Sequence, residues 1–138
     1  TEINTAMPEY VVRQAMLALN QDRKALNGAK VLILGMAYKR DIDDIRESPA
    51  LDVLRLMENF GAQVSYHDPH IPEVLEDGIV LKSVELTPVT LAAQDMVIIV
   101  TDHSAVDYEA VCRHAKLVFD ARNATRNVSH PSARIVKL

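Results

Sequence analysis

Apolar positions in this chain fall into two kinds of run. From Pro8 to Leu26 they recur at Val11, Val12, Ala15, Met16, Leu19 and Leu26. That is helical spacing, with Pro8 suited to a first turn and Asn27-Gly28 to an end. "KVLILG", "DMVIIVT" and "AKLVFDAR" are instead short and almost uninterrupted. Such runs suit central strands of a parallel sheet, buried on both faces. "AQVSYHD" alternates as a strand, "IVLKS" fits a short strand, and "ARIVKL" fits an edge strand. Ser48 and Pro49 form an N-cap and first turn for a helix running to about Phe60, with Leu51, Leu54 and Met57 on its buried face. "TPVTLAAQ" and the stretch from Ala105 to His114 are further helices, and "PHIPEVLEDG" is expected to be loop.

Strands alternating with helices imply an α/β fold: a Rossmann-like, doubly wound parallel sheet preceded by a long helix. No internal repeat, low-complexity tract or second core is visible. The expected division is a helical segment at 1–27 and a sheet domain at 28–138.

In such sheets ligands bind beyond the carboxyl ends of the strands. Three segments should converge there: Gly35 to Glu47, Thr101 to Ser104, and Asp120 to Asn123. The first is dense in charge. "GMAYKRDIDDIRESPA" carries Lys39, Arg40, Asp41, Asp43, Asp44, Arg46 and Glu47. It lacks the G-x-G-x-x-G pattern that lets backbone amides crowd a pyrophosphate. A lysine there points to an anion held through side chains. Lys39 and Arg40 are otherwise solvated cations, Arg46 a partner of Asp43 or Glu47, Tyr38 packing, and Arg122 a charge at the sheet end. The three aspartates make a weak metal signal, with no histidine nearby, and fit loop shaping better.

The 138 residues are 49% apolar and 25% charged, an ordinary soluble balance. The net charge of -4 gives no reason to expect nucleic acid or an anionic membrane as partner. One cysteine, Cys112, excludes an internal disulfide and fits a reducing, cytoplasmic setting. The apolar runs are too short to span a bilayer. The start "TEINTAMPEY" has no leader-like apolar core and no initiator Met, so the chain reads as a piece of something longer. Cys112 lies on a helix without a glycine-rich loop, and is read as a small buried hydrophobe. Asp102, His103 and Ser104 are sequence neighbours and cannot form a hydrolytic triad. His67, His70, His114 and His130 are too scattered for zinc.

"GMAYKRDIDDIRESPAL", "GAQVSYHDPHIP", "VTDHSAVDYEAV" and "KLVFDARNAT" resemble the C-terminal domain of the UDP-glucose/GDP-mannose dehydrogenase family. "EINTAMPEYVV" resembles the end of the central helix joining that family's two Rossmann-like halves. "DIDDIRESPAL", "YHDPHIPE" and "DHSAVDYE" look most like the branch that oxidises UDP-N-acetylhexosamines at C6. The resemblance implies NAD-dependent, four-electron oxidation of a nucleotide sugar to its uronic acid. It implies that 1–27 ends the connecting helix and that 28–138 binds the UDP-sugar. It further implies that NAD is bound mainly by an N-terminal half, and that the assembled enzyme is a homodimer or larger. Carried over by motif, Tyr38, Lys39 and Arg122 contact the UDP-sugar, and Arg46 reaches toward NAD. Val12, Met16 and Leu19 would then form an apolar stripe left uncovered in this chain. A free-standing nucleotide-binding or regulatory module without chemistry is the alternative.

Overall fold

The structure, a computed structural model, describes residues 2–37, 48–76, 78–129 and 131–138. Its elements run α1 (Glu2–Gln21), β1 (Lys30–Leu34), α2 (Pro49–Asn59), β2 (Gln63–His67), β3 (Glu73–Glu76), β4 (Ile79–Lys82), α3 (Pro88–Ala92), β5 (Met96–Ile99), α4 (Tyr108–His114), β6 (Leu117–Asp120) and β7 (Arg134–Lys137). Five strands form one sheet in the order β2-β1-β5-β6-β7, every neighbouring pair parallel. The chain leaves β1 toward β2 on one side and later occupies β5 on the other. The order therefore reverses between β1 and β5, and the crevice at their carboxyl ends is the expected ligand position.

The uninterrupted apolar runs are buried on both faces, as their pattern requires. Val31, Ile33, Met96, Ile98, Leu117 and Phe119 pack with α1 and α2. Leu32, Leu34, Val97, Ile99 and Val118 pack with α3 and α4. Helix α2 begins as its sequence dictates. Ser48 is extended, its Oγ accepts from the amide of Ala50, and Pro49 occupies the first turn.

Helix α1 departs from the expected bounds of 8–26 at both ends. It already includes Glu2, so Pro8 lies inside it, where a missing N–H leaves one carbonyl of the preceding turn without its helical bond. It stops at Gln21, because Arg23 turns left-handed (φ 60°) and Lys24 N–H donates back to Leu19 O at 3.0 Å. Arg134 of β7 completes that end. Its guanidinium donates to Ala18 O at 2.8 Å and Gln21 Oε1 at 3.0 Å, and pairs with Asp22 at 3.0 Å. A cation at a helix C-terminus complements the dipole. Leu26 is buried beyond the helix, so its helical spacing from Leu19 reflects a shared core and not a continuing helix.

The stripe of Val12, Met16 and Leu19 is also corrected. Val12 and Leu19 are buried in this chain's own core with α2, while Met16 points outward. Among the described side chains of α1, the large apolar ones that are exposed are Met7, Tyr10, Met16 and Leu17. A second correction concerns "PHIPEVLEDG", which is not all loop. Glu73–Glu76 pairs antiparallel with Ile79–Lys82, placing Val74 opposite Leu81. The overlooked signal is Asp77-Gly78 between two short runs, with Gly78 at φ +83°. Finally, α4 starts at Tyr108 instead of Ala105, because Asp107 caps it by accepting from Ala110 N–H.

Leu19 is wholly buried and Leu17 half-exposed on the same helix. Leu19→Ala is expected to lower unfolding stability by about 2–4 kcal/mol, and Leu17→Ala by less than about 0.5 kcal/mol. Urea midpoints of the two variants measure this. Equal, small losses would show that α1 is not part of the core.

Candidate functional site

At the reversal point Gly35 follows β1 and Val100-Thr101 follows β5. Gly35 has φ +92°, and a Cβ there would lie 2.5 Å from Thr101 Cβ. Only glycine lets the two strand ends close this tightly. Thr101 Oγ then donates to Ala37 O at 2.9 Å, joining the two loops. Ser48 Oγ donates to Met36 O at 2.8 Å, tying the start of α2 to the end of β1.

The amides of Met36 and Ala37 sit where a glycine-rich turn would offer donors to a phosphate. Here both donate to Asp68 Oδ2, at 2.7 and 2.8 Å. The same oxygen accepts from His103 Nε2 at 2.9 Å, and Oδ1 accepts from His70 N–H at 2.7 Å. Asp68 and His103 side chains are 0% and 1% exposed. Burial by itself pushes the Asp68 carboxyl up. The amides of Ala37, His70 and Met36 and the His103 ring together outweigh it, and the carboxyl lies below its ordinary range. With the carboxylate ionised, His103 Nε2 carries the proton of this bond. The His70 ring lies against His103, centroids 4.9 Å apart. A protein carboxylate thus fills the amide cradle at the end of β1.

A second buried aspartate shapes the loop after β6. Asp120 accepts from the amides of Arg122 and Ala124 at 3.0 Å, and from the Thr125 amide and hydroxyl at 2.8 and 2.6 Å. Burial raises its pKa, the Thr125, Ala124 and Arg122 donors lower it, and the balance falls below the ordinary carboxylate range. This turn leaves Arg122 exposed at the carboxyl edge. Arg126 bridges to the neighbouring loop, with its guanidinium 3.2 Å from Asp102 and 2.9 Å from Asn123 O.

Of the sequence-predicted residues, Arg122 therefore lies at the expected edge. Tyr38, Lys39 and Arg46 lie outside the described residues, as do Arg40, Asp41, Asp43, Asp44 and Glu47. Sequence reasoning missed Asp68 and Asp120 as anchors, and considered His103 only as a triad member. A usable signal was present, since "YHD" and "LVFD" each end a strand in aspartate. Cys112 is fully buried in α4, where burial and the Asp120 and Glu109 charges push its thiol up to about 11, so it is no nucleophile near neutral pH. Among the described residues no three His, Cys, Asp or Glu gather as a metal site. No helix among them is long and apolar enough to cross a membrane. A separate concavity of about 490 Å³ lies between α3 and α4, lined by His67, Leu91, Val111 and His114 among others; Arg122 does not line it.

Comparison with known proteins identifies the family and the fold. Residues 32–127 match the model of the UDP-glucose/GDP-mannose dehydrogenase family, UDP binding domain. The chain belongs to that family. Among curated relatives, UDP-N-acetyl-D-mannosamine dehydrogenase of Methanococcus maripaludis is 30% identical over 130 residues, covering 88% of this chain and 29% of the relative. Among solved structures, the UDP-N-acetyl-mannosamine dehydrogenase of S. aureus superposes with a TM-score of 0.75 at 29% identity, covering 99% of this chain and 31% of that one. The UDP-D-ManNAc dehydrogenase of Pyrococcus horikoshii shares the fold, with a TM-score of 0.77 at 24% identity over 99% of this chain and 31% of its own. The chain spans about three-tenths of the length of these relatives.

Asp68 and Asp120 have folded-state pKa values below their unfolded ones, so the stability they confer is present above the unfolded pKa and lost as pH falls through the folded one. Urea midpoints are expected to hold steady between about pH 7 and 5 and to drop below about pH 4. Asp120→Asn should be less stable at neutral pH and show a shallower acid decline. A wild-type midpoint unchanged down to about pH 3 would contradict this.

Proposed function

We propose that this chain is the UDP-sugar-binding domain of an NAD-dependent nucleotide-sugar 6-dehydrogenase, which oxidises a UDP-hexose or UDP-N-acetylhexosamine to the uronic acid. The observation that carries the reading is the match of residues 32–127 to the family's UDP-binding domain. Its strand ends supply a physical counterpart. Asp68 occupies the amide cradle at β1, which leaves a diphosphate to be bound by side-chain cations. Lys39 and Arg122 neutralise it, and Tyr38 packs beside the sugar or base. Arg46 faces NAD, which is held mainly by an N-terminal half of the same enzyme. In this reading residues 1–27 end the helix that connects the halves, residues 28–138 hold the substrate, and the whole enzyme is a cytoplasmic homodimer or larger assembly.

The chain's own groups bind and orient here, and do not oxidise. Its only thiol, Cys112, is sealed in the core of α4 and cannot attack an aldehyde intermediate. NAD, when bound by the enzyme, supplies the hydride acceptor.

Titration of UDP into the chain tests the reading. Each charge-assisted contact to phosphate is worth roughly 1.5–3 kcal/mol, so Lys39→Ala and Arg122→Ala should each weaken UDP binding on the order of tenfold to a hundredfold. Arg46→Ala should change it by less than about twofold. Calorimetry reads all three. Full UDP affinity in Lys39→Ala with total loss in Arg46→Ala would reverse the assigned roles. With NAD and UDP-sugars added, the 138-residue chain should produce no NADH absorbance; turnover abolished by Cys112→Ser would overturn the reading.

A further inference from the structure

The sequence holds one Asn-Gly dipeptide, Asn27-Gly28, and it occupies the turn between α1 and β1. An asparagine followed by glycine is the pair most open to intramolecular attack, because no side chain shields the glycine nitrogen from the asparagine Cγ. Both residues are exposed to water. Their reactive groups are nevertheless engaged by the neighbouring turn, between α2 and β2. Gly28 N–H donates to Gly61 O at 2.9 Å. The Asn27 side chain lies directly on Gly61: a Cβ there would fall 2.9 Å from Asn27 Cγ and closer still to its Oδ1. Gln63 N–H donates to Ala29 O at 2.8 Å and extends the same seam.

We propose that Asn27-Gly28 is a latent site of spontaneous covalent modification, held closed by Gly61 and opened when the two turns separate. The only co-reactant is water. Once Gly28 N–H is free of Gly61 O, the nitrogen gives its proton to solvent and bonds to Asn27 Cγ. The Cγ–Nδ2 bond breaks and ammonia leaves, closing a succinimide ring. Water then opens the ring. Cleavage of the new N–Cγ bond leaves aspartate at position 27. Cleavage of the original bond from the position-27 carbonyl carbon to the nitrogen leaves isoaspartate, with the chain routed through Cγ. The second product adds one carbon to the backbone of the turn. Leu26 and Ala29 are both buried and are joined across it, Ala29 N–H donating to Leu26 O at 3.0 Å. A longer turn cannot restore that bond together with the one from Gly28 to Gly61. Isoaspartate therefore loosens the seam for good, and with it the segment that ties α1 to the sheet. A brief opening leaves a permanent covalent record.

Digestion after Lys24 and Lys30 releases "ALNGAK", in which mass spectrometry reads the amide-to-acid exchange and fragmentation separates the two products. At mildly alkaline pH the folded chain is expected to convert at least about tenfold more slowly than the chain unfolded in urea, because the reaction waits for the opening. Gly61→Ala pushes Asn27 off its seat and should raise the folded rate on the order of tenfold. Leu91→Ala weakens the core on the α3 and α4 face, away from both turns. Kept folded, it should stay within about twofold of wild type. Equal rates in folded and unfolded wild type, or equal acceleration by Leu91→Ala and Gly61→Ala, overturn the proposal. Gly61 has φ +92°, where alanine is strained. If Gly61→Ala does not fold, exchange of the Gly28 amide in wild type decides. Across urea concentrations below the unfolding transition, conversion should rise in proportion to that exchange; conversion that stays flat while exchange rises overturns the gating. The purified isoaspartate form should lose amide protection in the last turn of α1 and at Gln63, and full protection there overturns the permanent loosening.

Discussion

An ionised carboxylate in a protein core is tolerated only when donors surround it, because desolvation of an unpaired charge costs several kcal/mol or more. Asp68 meets that condition with three amides and an imidazole, drawn from the ends of β1 and β5 and from its own loop. The amides of Met36 and Ala37 lie just past the end of β1, and buried backbone amides need partners as much as the charge does. The two needs cancel, and the geometry of one end of the sheet follows. Gly35 has to be glycine because the strands it separates are drawn so close. The amide cradle at β1, which other doubly wound proteins leave open to phosphate, is closed from within. A domain built this way keeps the topology of a dinucleotide-binding unit while its own carboxylate takes up the strand-end amides.

Asp120 repeats the device on a smaller scale. Its carboxylate gathers the amides of Arg122, Ala124 and Thr125 with the Thr125 hydroxyl, turning the chain within a few residues of β6. Asn123 accepts a left-handed backbone there, and Lys137 of β7 donates to its side chain at 2.8 Å. The result is a rigid platform with Arg122 on its outer side. Two buried anions thus organise the rim, with Arg122 exposed at it.

Much of this architecture is legible in the sequence, for a physical reason. β1, β5 and β6 are buried on both faces, so nearly every residue is apolar and the runs stand out. Ser48-Pro49 states the start of α2 locally, and the structure agrees to the residue. Features that depend on distant partners were hidden. The end of α1 is completed by Arg134, 116 positions away from Ala18. β3 carries two glutamates in four residues and is recognisable only through its pairing with β4. At the site, Arg122 was named by motif and its place at the sheet edge followed from the apolar run before it, while Tyr38, Lys39 and Arg46 were named by motif and lie outside the described residues. Asp68 and His103 are 35 positions apart, and neither local pattern reveals the other.

The pairing of β1 with β5 has a kinetic side. Val31 lies beside Met96, with α2, the hairpin of β3 and β4, and α3 all intervening in sequence. The central contact of the sheet is therefore one of its most distant in the chain, and closing so long a segment carries an entropic cost before any contact repays it. During synthesis β1 can pair with β2 early, but its other edge stays unpartnered until β5 has emerged. An apolar strand with a free edge is a template for wrong pairing. The nascent chain keeps that free edge until β5 has emerged.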